Sequence, residues 1–225
     1  MTSVLLEALG VASGGVLSVG SVLMVLVVLA SAGGLKKALG YYCGLFGGYA
    51  LIGWLVMGIS QRVRDPASSG GEPSQVGAWV MLALGAVLLS FGTRTLLERR
   101  ETPEAPPKIF TMLDGMSALR LLGFGAMISA INVKNLAIYL SAVSIVIQGE
   151  LPVQESMLVI VATAFVFCLV VLVPIGIFAI SSEHARPLLA RLRARLETHR
   201  RALSLVAMFG FGSVFFARGV LGIVG

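Results

Sequence analysis

Long apolar stretches constrain this chain more than any other feature, because few folds can accommodate them. A helix needs about 20 predominantly apolar residues to cross the roughly 30 Å hydrocarbon core of a bilayer. Six stretches reach that length, at 5–32, 38–59, 76–97, 119–147, 156–180 and 202–223. Only 12% of the 225 residues are charged, against about 25% in a typical soluble domain. The sequence therefore predicts an all-α, polytopic membrane protein with six transmembrane helices in one domain, 1–225.

Basic residues are distributed unevenly between the loops that join these stretches. Thirteen of the 17 Lys and Arg residues lie in or beside the loops after the first, third and fifth stretches. Loops rich in Lys and Arg remain on the cytoplasmic side of a membrane. We therefore expect a multi-pass protein of the bacterial cytoplasmic (inner) membrane, with both termini outside. Since orientation explains the net charge of +6, nucleic acid is not an expected partner.

The third internal loop, 186–201, has an amphipathic pattern. Its leucines share one helical stripe, and arginines flank or oppose that stripe: Leu188, Leu189, Leu192 and Leu196, with Arg191, Arg193, Arg195, Arg200 and Arg201. This pattern is typical of a basic cytoplasmic helix at the membrane surface. It serves either as a topology anchor or as a surface that binds substrate or a partner.

A polar cluster interrupts the fourth stretch near its middle, at Ser129, Asn132, Lys134 and Asn135. A Lys at mid-membrane costs about 2.5–3.5 kcal/mol on insertion scales, so a chain that keeps one there is expected to line a cavity with it. Asn is a good N-cap, which predicts that the helix breaks here and restarts at Leu136. In the alternative interpretation the span is misplaced and Lys134 snorkels to an interface.

The first stretch offers a weaker counterpart in its small, hydroxylated residues Ser13, Ser18 and Ser21. With six spans, the fourth helix enters the membrane from the side opposite to the first. The halves would then form a 3+3 inverted repeat, in which broken helices build a central site. The four residues of the fourth stretch and these three serines are the predicted substrate-binding residues.

Other residues in the spans suggest structural roles. Glu7 and Arg218 should lie at similar outer depth, where they could form an ion pair or snorkel independently. Gly40, Gly44 and Gly48 repeat every four residues and predict a close helix contact.

Cys43 and Cys168 have no His or Cys neighbour, so we expect no metal and no cofactor. Because no phosphate loop or nucleophile triad can be assembled, we do not expect an enzyme or a catalytic residue.

The segment SAINVKNLAIYLSA, together with six spans in 225 residues and a small-residue break in helix 1, resembles the peptidoglycolipid addressing protein (GAP) family. That family includes the sulfolipid-addressing proteins and is similar to a branch of the LysE exporter superfamily. Its fourth helix usually carries an Asn-Pro-Lys-Asn element. Here Asn132, Lys134 and Asn135 match, and Val133 replaces the proline. Ser18 to Ser21 likewise replace a proline-containing element of helix 1.

The resemblance implies export of a glycolipid or lipid-linked envelope precursor by two inverted three-helix repeats, often as a homodimer. It also implies coupling to an ion gradient. Lys134, Asn132 and Asn135 would hold the polar or anionic head group, and the serines of helix 1 would line the opposite wall.

Three alternatives remain open at this stage. One is a LysE-like exporter of a small solute such as an amino acid. Another is a non-transporting scaffold that recruits a larger lipid-export machinery through its basic segment. The weakest is a redox carrier that uses the two cysteines as an electron-passing pair.

Overall fold

The structure is a computed structural model that describes residues 2–63, 75–97, 112–113, 115–180 and 182–224. Its helices follow one another along the chain as α1 (Thr2–Ala12), a 3-10 helix (Ser13–Leu17), α2 (Val19–Ala30), α3 (Gly34–Val63), α4 (Gln75–Leu97), α5 (Ala118–Ile131), α6 (Val133–Gln148), α7 (Val153–Ile180) and α8 (Ser182–Val224). Of the thirteen basic residues predicted on the cytoplasmic side, Arg99, Arg100 and Lys108 lie outside the described residues, as does Arg64 of the opposite side.

Three helices are long and apolar enough to cross a membrane by themselves, at Gly34–Gln61, Val153–Ile180 and Arg201–Val224. Two further spans arise if each bent pair is counted as one, which gives up to five. The predicted third span corresponds to α4, whose apolar part among the described residues, Met81–Leu97, is shorter than a full span. The all-helical membrane fold is thus confirmed for the described residues, whereas six spans and an inverted repeat remain predictions.

The two bent pairs are the predicted first and fourth helices. The helix axis turns by 60° between α1 and α2 and by 75° between α5 and α6. Breaks were predicted in both, as a small-residue break in the first helix and as a restart at Leu136 in the fourth. The structure restarts that helix at Val133 instead, because Asn132 itself caps it.

The glycine stripe of α3 packs directly on the backbone of α5. A Cβ added at Gly44 would lie 1.9 Å from the carbonyl oxygen of Leu122, and one added at Gly40 would lie 2.4 Å from that of Ala118. Only glycine allows two backbones to approach this closely. The predicted helix contact is confirmed, and it holds α5 against α3 up to the break.

The basic segment 186–201 continues directly into the last span as one helix of 43 residues. Glycine is absent from this segment, and Arg193 supports it by an i,i+4 ion pair with Glu197 at 2.9 Å. Leu189 is buried beside Leu26 and Phe178, whereas Leu188 is half exposed. The leucine stripe therefore packs partly on α2 and α7.

Candidate functional site

The two helix breaks meet in the core and form the candidate site. At the first break, Ser18 has φ −77° and ψ 60°, and its N–H donates to the carbonyl of Gly15 at 2.9 Å. At the second, Asn132 has φ −75° and ψ 81°, and its N–H donates to the carbonyl of Ile128 at 3.1 Å. Each of these residues ends one helical segment and begins the next.

Close backbone packing positions the first break. A Cβ added at Gly15 would lie 2.2 Å from the carbonyl oxygen of Phe167 in α7, and one added at Gly14 would lie 2.3 Å from the ring of Phe211 in α8. The 3-10 turn can therefore lie directly against the second half of the chain. This contact brings Ser18 to the centre of the protein.

The second break is made by its own side chain. The Oδ1 atom of Asn132 accepts a hydrogen bond from the Asn135 N–H at 3.4 Å, which satisfies one of the open N–H groups of the first turn of α6. Val133 occupies the first helical position, where the resemblance led us to expect proline. The Asn132 cap thus suffices to break the helix without that proline.

A buried hydrogen-bond chain joins the breaks. The side-chain amide of Asn135 donates to the Ser18 hydroxyl, and this hydroxyl donates to that of Ser21 at 2.9 Å. All three residues are at most 4% exposed. The structure therefore brings Ser18, Ser21 and Asn135 together from two helices that are far apart in sequence.

Lys134 lies beside this chain and contacts a third element. Its Nζ donates to the hydroxyl of Ser204 in α8 at 3.5 Å, and the side chain is half buried. Asn132 is also half buried. The ammonium group therefore lies between α6 and α8, close to the junction.

Two predicted site residues lie elsewhere. Ser13 is exposed, and its hydroxyl donates to the carbonyl of Gly10 at 2.6 Å. Ser129 is fully buried, but its hydroxyl donates to the carbonyl of Ala126 at 2.7 Å, and it packs against Gly48 of α3. The structure gives both hydroxyls local backbone partners and does not bring them into the buried chain.

Two tyrosines complete the junction, and sequence reasoning missed them. Among the described residues, the buried hydroxyls of Tyr49 and Tyr139 have no hydrogen-bond partner. Their ring centroids lie 4.9 Å apart, and each ring also packs on Phe167. The Tyr49 hydroxyl lies beside the Asn135 side chain. Buried hydroxyls without partners are uncommon in proteins, so these two are available to a ligand that enters the junction.

Glu7 and Arg218 form an ion pair at the far end of the first and last helices. Arg218 Nη1 lies 2.8 Å from Glu7 Oε1, and both side chains are about half exposed. This contact ties α1 to the end of α8. Neither residue contributes to the junction.

The cysteines differ in environment. Cys43 is exposed and Cys168 is buried, and both are free thiols. Among the described residues, no group of three or more His, Cys, Asp or Glu side chains is placed to hold a metal ion.

Comparison with known proteins gives one match. The family model described as Sap, sulfolipid-1-addressing protein, matches residues 8–221, which include both breaks and nearly all of the described helices. No curated protein and no solved structure matches the chain.

Proposed function

The chain belongs to the sulfolipid-1-addressing protein family, and from this premise we propose that it translocates an anionic glycolipid or lipid-linked envelope precursor across the cytoplasmic membrane. Family membership confirms the resemblance found in the sequence. It supports a membrane protein involved in addressing a sulfolipid. Translocation, and the site that performs it, are our proposal.

The observation that carries the proposal is the meeting of two helix breaks at a buried polar junction. Broken helices expose backbone groups in the membrane only where these groups line a cavity or bind a ligand. Here α2 begins at Ser18 and α6 begins at Asn132, and Asn135 joins the two starts. The junction thus collects the N-terminal ends of two helices, each of which carries a partial positive charge.

The charges around the junction favour an anionic ligand. Lys134 adds an ammonium group in the first turn of α6, with its Nζ 3.5 Å from the Ser204 hydroxyl of α8. No Asp or Glu occurs in the sequence at 8–63, 75–97, 115–149 or 156–180, or in the last span at 201–224. These helices therefore offer a sulfate or phosphate head group positive groups and no carboxylate of their own. A cation would meet the same positive groups and would find no carboxylate on these helices.

The proposed substrate contacts follow from this geometry. Lys134 would exchange its bond to Ser204 for an oxygen of the head group. Ser18, Ser21 and Asn135 would bind further oxygens, and Tyr49 and Tyr139 would donate the hydrogen bonds that they do not make in this structure. Such groups position a polar head group while the acyl chains remain in lipid.

We also propose that the two halves are inverted repeats. Helix α3 packs on α5 just before the second break, as α7 packs on the 3-10 turn at the first break. Helix α4 packs along α8, and the two breaks contact each other. These four relations support a two-fold axis that would relate 2–97 to 118–224. Alternating access would then be a rocking of one half against the other around the junction.

Reconstitution of the full chain tests the function. Proteoliposomes would carry fluorescent sulfatide, a sulfated glycolipid, with fluorescent phosphatidylcholine as the neutral comparison and an imposed pH gradient as the ion-gradient test. We expect sulfatide to cross faster than phosphatidylcholine, Lys134→Ala to abolish the difference, and Lys134→Arg to retain part of it. Arg94→Ala removes an exposed cation at the end of α4 and is the matched control. Unchanged sulfatide movement in folded Lys134→Ala protein would overturn the site.

A second candidate is the scaffold, which the continuous helix α8 favours. The residues that precede Arg201 continue this helix for about 28 Å at 1.5 Å per residue. Leu189 packs on α2 and α7, whereas Arg191 and Arg195 are exposed. Such an extension suits a docking role. If purified protein moves no lipid alone, but does so with a co-purified partner, the scaffold replaces the translocator. Accumulation of an amino acid in a deletion strain with unchanged lipids would instead favour the small-solute exporter.

A further inference from the structure

An open groove lies between the N-terminal ends of α3 and α5, separate from the junction. Its volume is about 650 Å³, and most of its surface is apolar. The residues that line it are Gly33, Lys36, Lys37, Gly40, Ser117, Ala118, Leu119 and Leu122. All of them come from segments that the sequence predicts at the cytoplasmic side of the membrane.

Two glycines shape the groove. Gly33 has φ +70°, a conformation that favours glycine, and it turns the chain into α3 with open space on its Cβ side. Gly40, two turns further along, brings the backbone of α3 against Ala118. The helices are thus in contact at Gly40, where α5 begins, and α3 continues beyond this contact to its N-terminal end at Gly34.

Positive charge is concentrated at the mouth of the groove. Lys36 is exposed, and Lys37 is partly buried with its Nζ 3.5 Å from the Ser31 hydroxyl. Ser117 caps α5 by accepting from the Arg120 N–H at 3.4 Å, so the positive end of this 14-residue helix also faces the mouth. The interior is different in character, since Leu119 and Leu122 present apolar surface that is 78% and 41% exposed.

We infer that this groove binds an anionic lipid of the cytoplasmic leaflet. The lysines and the helix N-terminus fit a phosphate or sulfate head group, and the leucine-lined interior fits the start of an acyl chain. The complementarity favours a lipid over a soluble anion, because a soluble anion would leave the apolar surface unused. It also favours a lipid over an acidic protein segment, because the groove continues into the predicted membrane zone.

Lipid binding at the groove stands on this geometry alone. A loading role, in which the groove selects anionic lipids before they reach the junction, rests on the proposed function. The binding site and the translocation site share no residue. Their failures can therefore be told apart by separate variants.

Native mass spectrometry of the full-length protein in detergent measures the binding directly. The probes are phosphatidylglycerol, phosphatidylcholine and soluble glycerol phosphate. We expect phosphatidylglycerol to bind more tightly than phosphatidylcholine, and the double variant Lys36→Gln/Lys37→Gln to weaken it about tenfold or more, since a Lys near an anionic surface contributes about 1 kcal/mol. The double variant Lys36→Arg/Lys37→Arg should retain the affinity.

The matched control is the double variant Arg191→Gln/Arg195→Gln, which removes two exposed charges from α8 without touching the groove. It should change the affinity less than twofold. An equal loss in both double variants would mean general electrostatic attraction and would overturn the groove. Glycerol phosphate that binds as tightly as the lipid would overturn the lipid assignment.

Transport measurements on the same proteins separate this inference from the proposed function. Lys134→Ala protein should still bind phosphatidylglycerol at the groove. If the wild-type protein binds the lipid through Lys36 and Lys37 but moves none, the groove stands and the translocator falls. If the wild-type protein moves lipid, and the Lys36→Gln/Lys37→Gln variant binds and transports lipid normally, the proposed translocation is supported and the proposed lipid site in the groove is wrong.

Discussion

The side chain of Asn135 donates a hydrogen bond to the hydroxyl of Ser18, which lies 117 residues earlier in the chain. This bond links the start of α6 to the start of α2, so the two helix breaks are held in register. Both residues are at most 4% exposed, so bulk solvent does not compete for this bond. A protein that opened at this junction would have to break this bond or move both helix starts together.

The first prediction is that Asn135 and Ser18 are energetically coupled. Asn135→Ala and Ser18→Ala should each destabilise the protein, and the double variant should lose less than the sum. We expect a coupling free energy of about 0.5–2 kcal/mol, the range for side-chain hydrogen bonds inside membranes. Thermal unfolding in detergent of the four proteins in the cycle measures it.

Ser141→Ala is the control for this cycle. Ser141 is fully buried on the same helix as Asn135, but its hydroxyl donates only to the carbonyl of Ala137, at 2.9 Å. It should show no coupling to Ser18→Ala. A coupling as large as that of Asn135 would mean that the cycle reports general loosening of α6.

The sequence predicted part of this junction for identifiable reasons. Asn132, Lys134 and Asn135 are conspicuous because polar groups in a span need partners, and Ser18 and Ser21 follow from the same argument. Ser13 and Ser129 have the same chemistry but bond to carbonyls three residues earlier in the chain, which composition does not reveal. Tyr49 and Tyr139 were missed because a tyrosine in an apolar span is usually read as packing, and only the structure shows that their hydroxyls lack partners.

The second prediction separates stability from function at these tyrosines. An unsatisfied buried hydroxyl costs free energy, so Tyr49→Phe and Tyr139→Phe should each raise the unfolding free energy by about 1 kcal/mol. The same variants should slow sulfatide movement, because the hydroxyls are proposed to bind the head group. Thermal unfolding and the proteoliposome assay measure the two effects on the same preparations.

Tyr42→Phe is the matched variant, since the Tyr42 hydroxyl is also buried without a partner among the described residues. Its ring stacks on Phe46, with centroids 6.1 Å apart, in a different ring cluster from that of Tyr49 and Tyr139. It should stabilise the protein and leave transport unchanged. Transport lost equally in all three variants would remove the two tyrosines from the site.

The third prediction concerns the contact between α3 and α5. Gly44→Ala would place a methyl group 1.9 Å from a carbonyl oxygen of Leu122, so the helices must separate. We expect a loss of about 3 kcal/mol, at the upper end for overpacking of a core. Gly47→Ala lies on the same helix with open space around its Cβ, and it should be neutral or stabilise by up to about 1 kcal/mol. Equal effects of the two variants on thermal stability would show that α3 does not depend on this contact.

The sequence located this contact but not the course of every helix. A four-residue glycine repeat places its glycines on one face of one helix, and that face is where a second helix can approach closely. By contrast, the break at Ser18 has no capping side chain of its own and depends on packing against α7 and α8, which lie over 140 residues away in sequence. Small residues predicted a break in this helix, but local composition could not place it at Ser18. Likewise, hydropathy changes where the basic segment meets the last span, but no Gly or Pro occurs at 188–209 to end the helix there, and α8 continues.

The last prediction tests how the second break is maintained without a proline. Val133 occupies the first position of α6, where proline is favoured because the N–H there needs no helical partner. The preceding residue, Asn132, has ψ 81°, outside the helical region that a following proline disfavours. Val133→Pro should therefore fold normally and stabilise the protein by about 0.4–1 kcal/mol through the unfolded state.

Leu136→Pro, three residues later, provides the contrast. The Leu136 N–H donates to the carbonyl of Asn132 at 2.8 Å, and a proline removes this bond and clashes with that carbonyl. It should cost about 3 kcal/mol or prevent folding. A Val133→Pro variant as unstable as Leu136→Pro would mean that Val133 lies inside a continuous helix. The assignment of a helix break to Asn132, on which the proposed junction depends, would then be wrong.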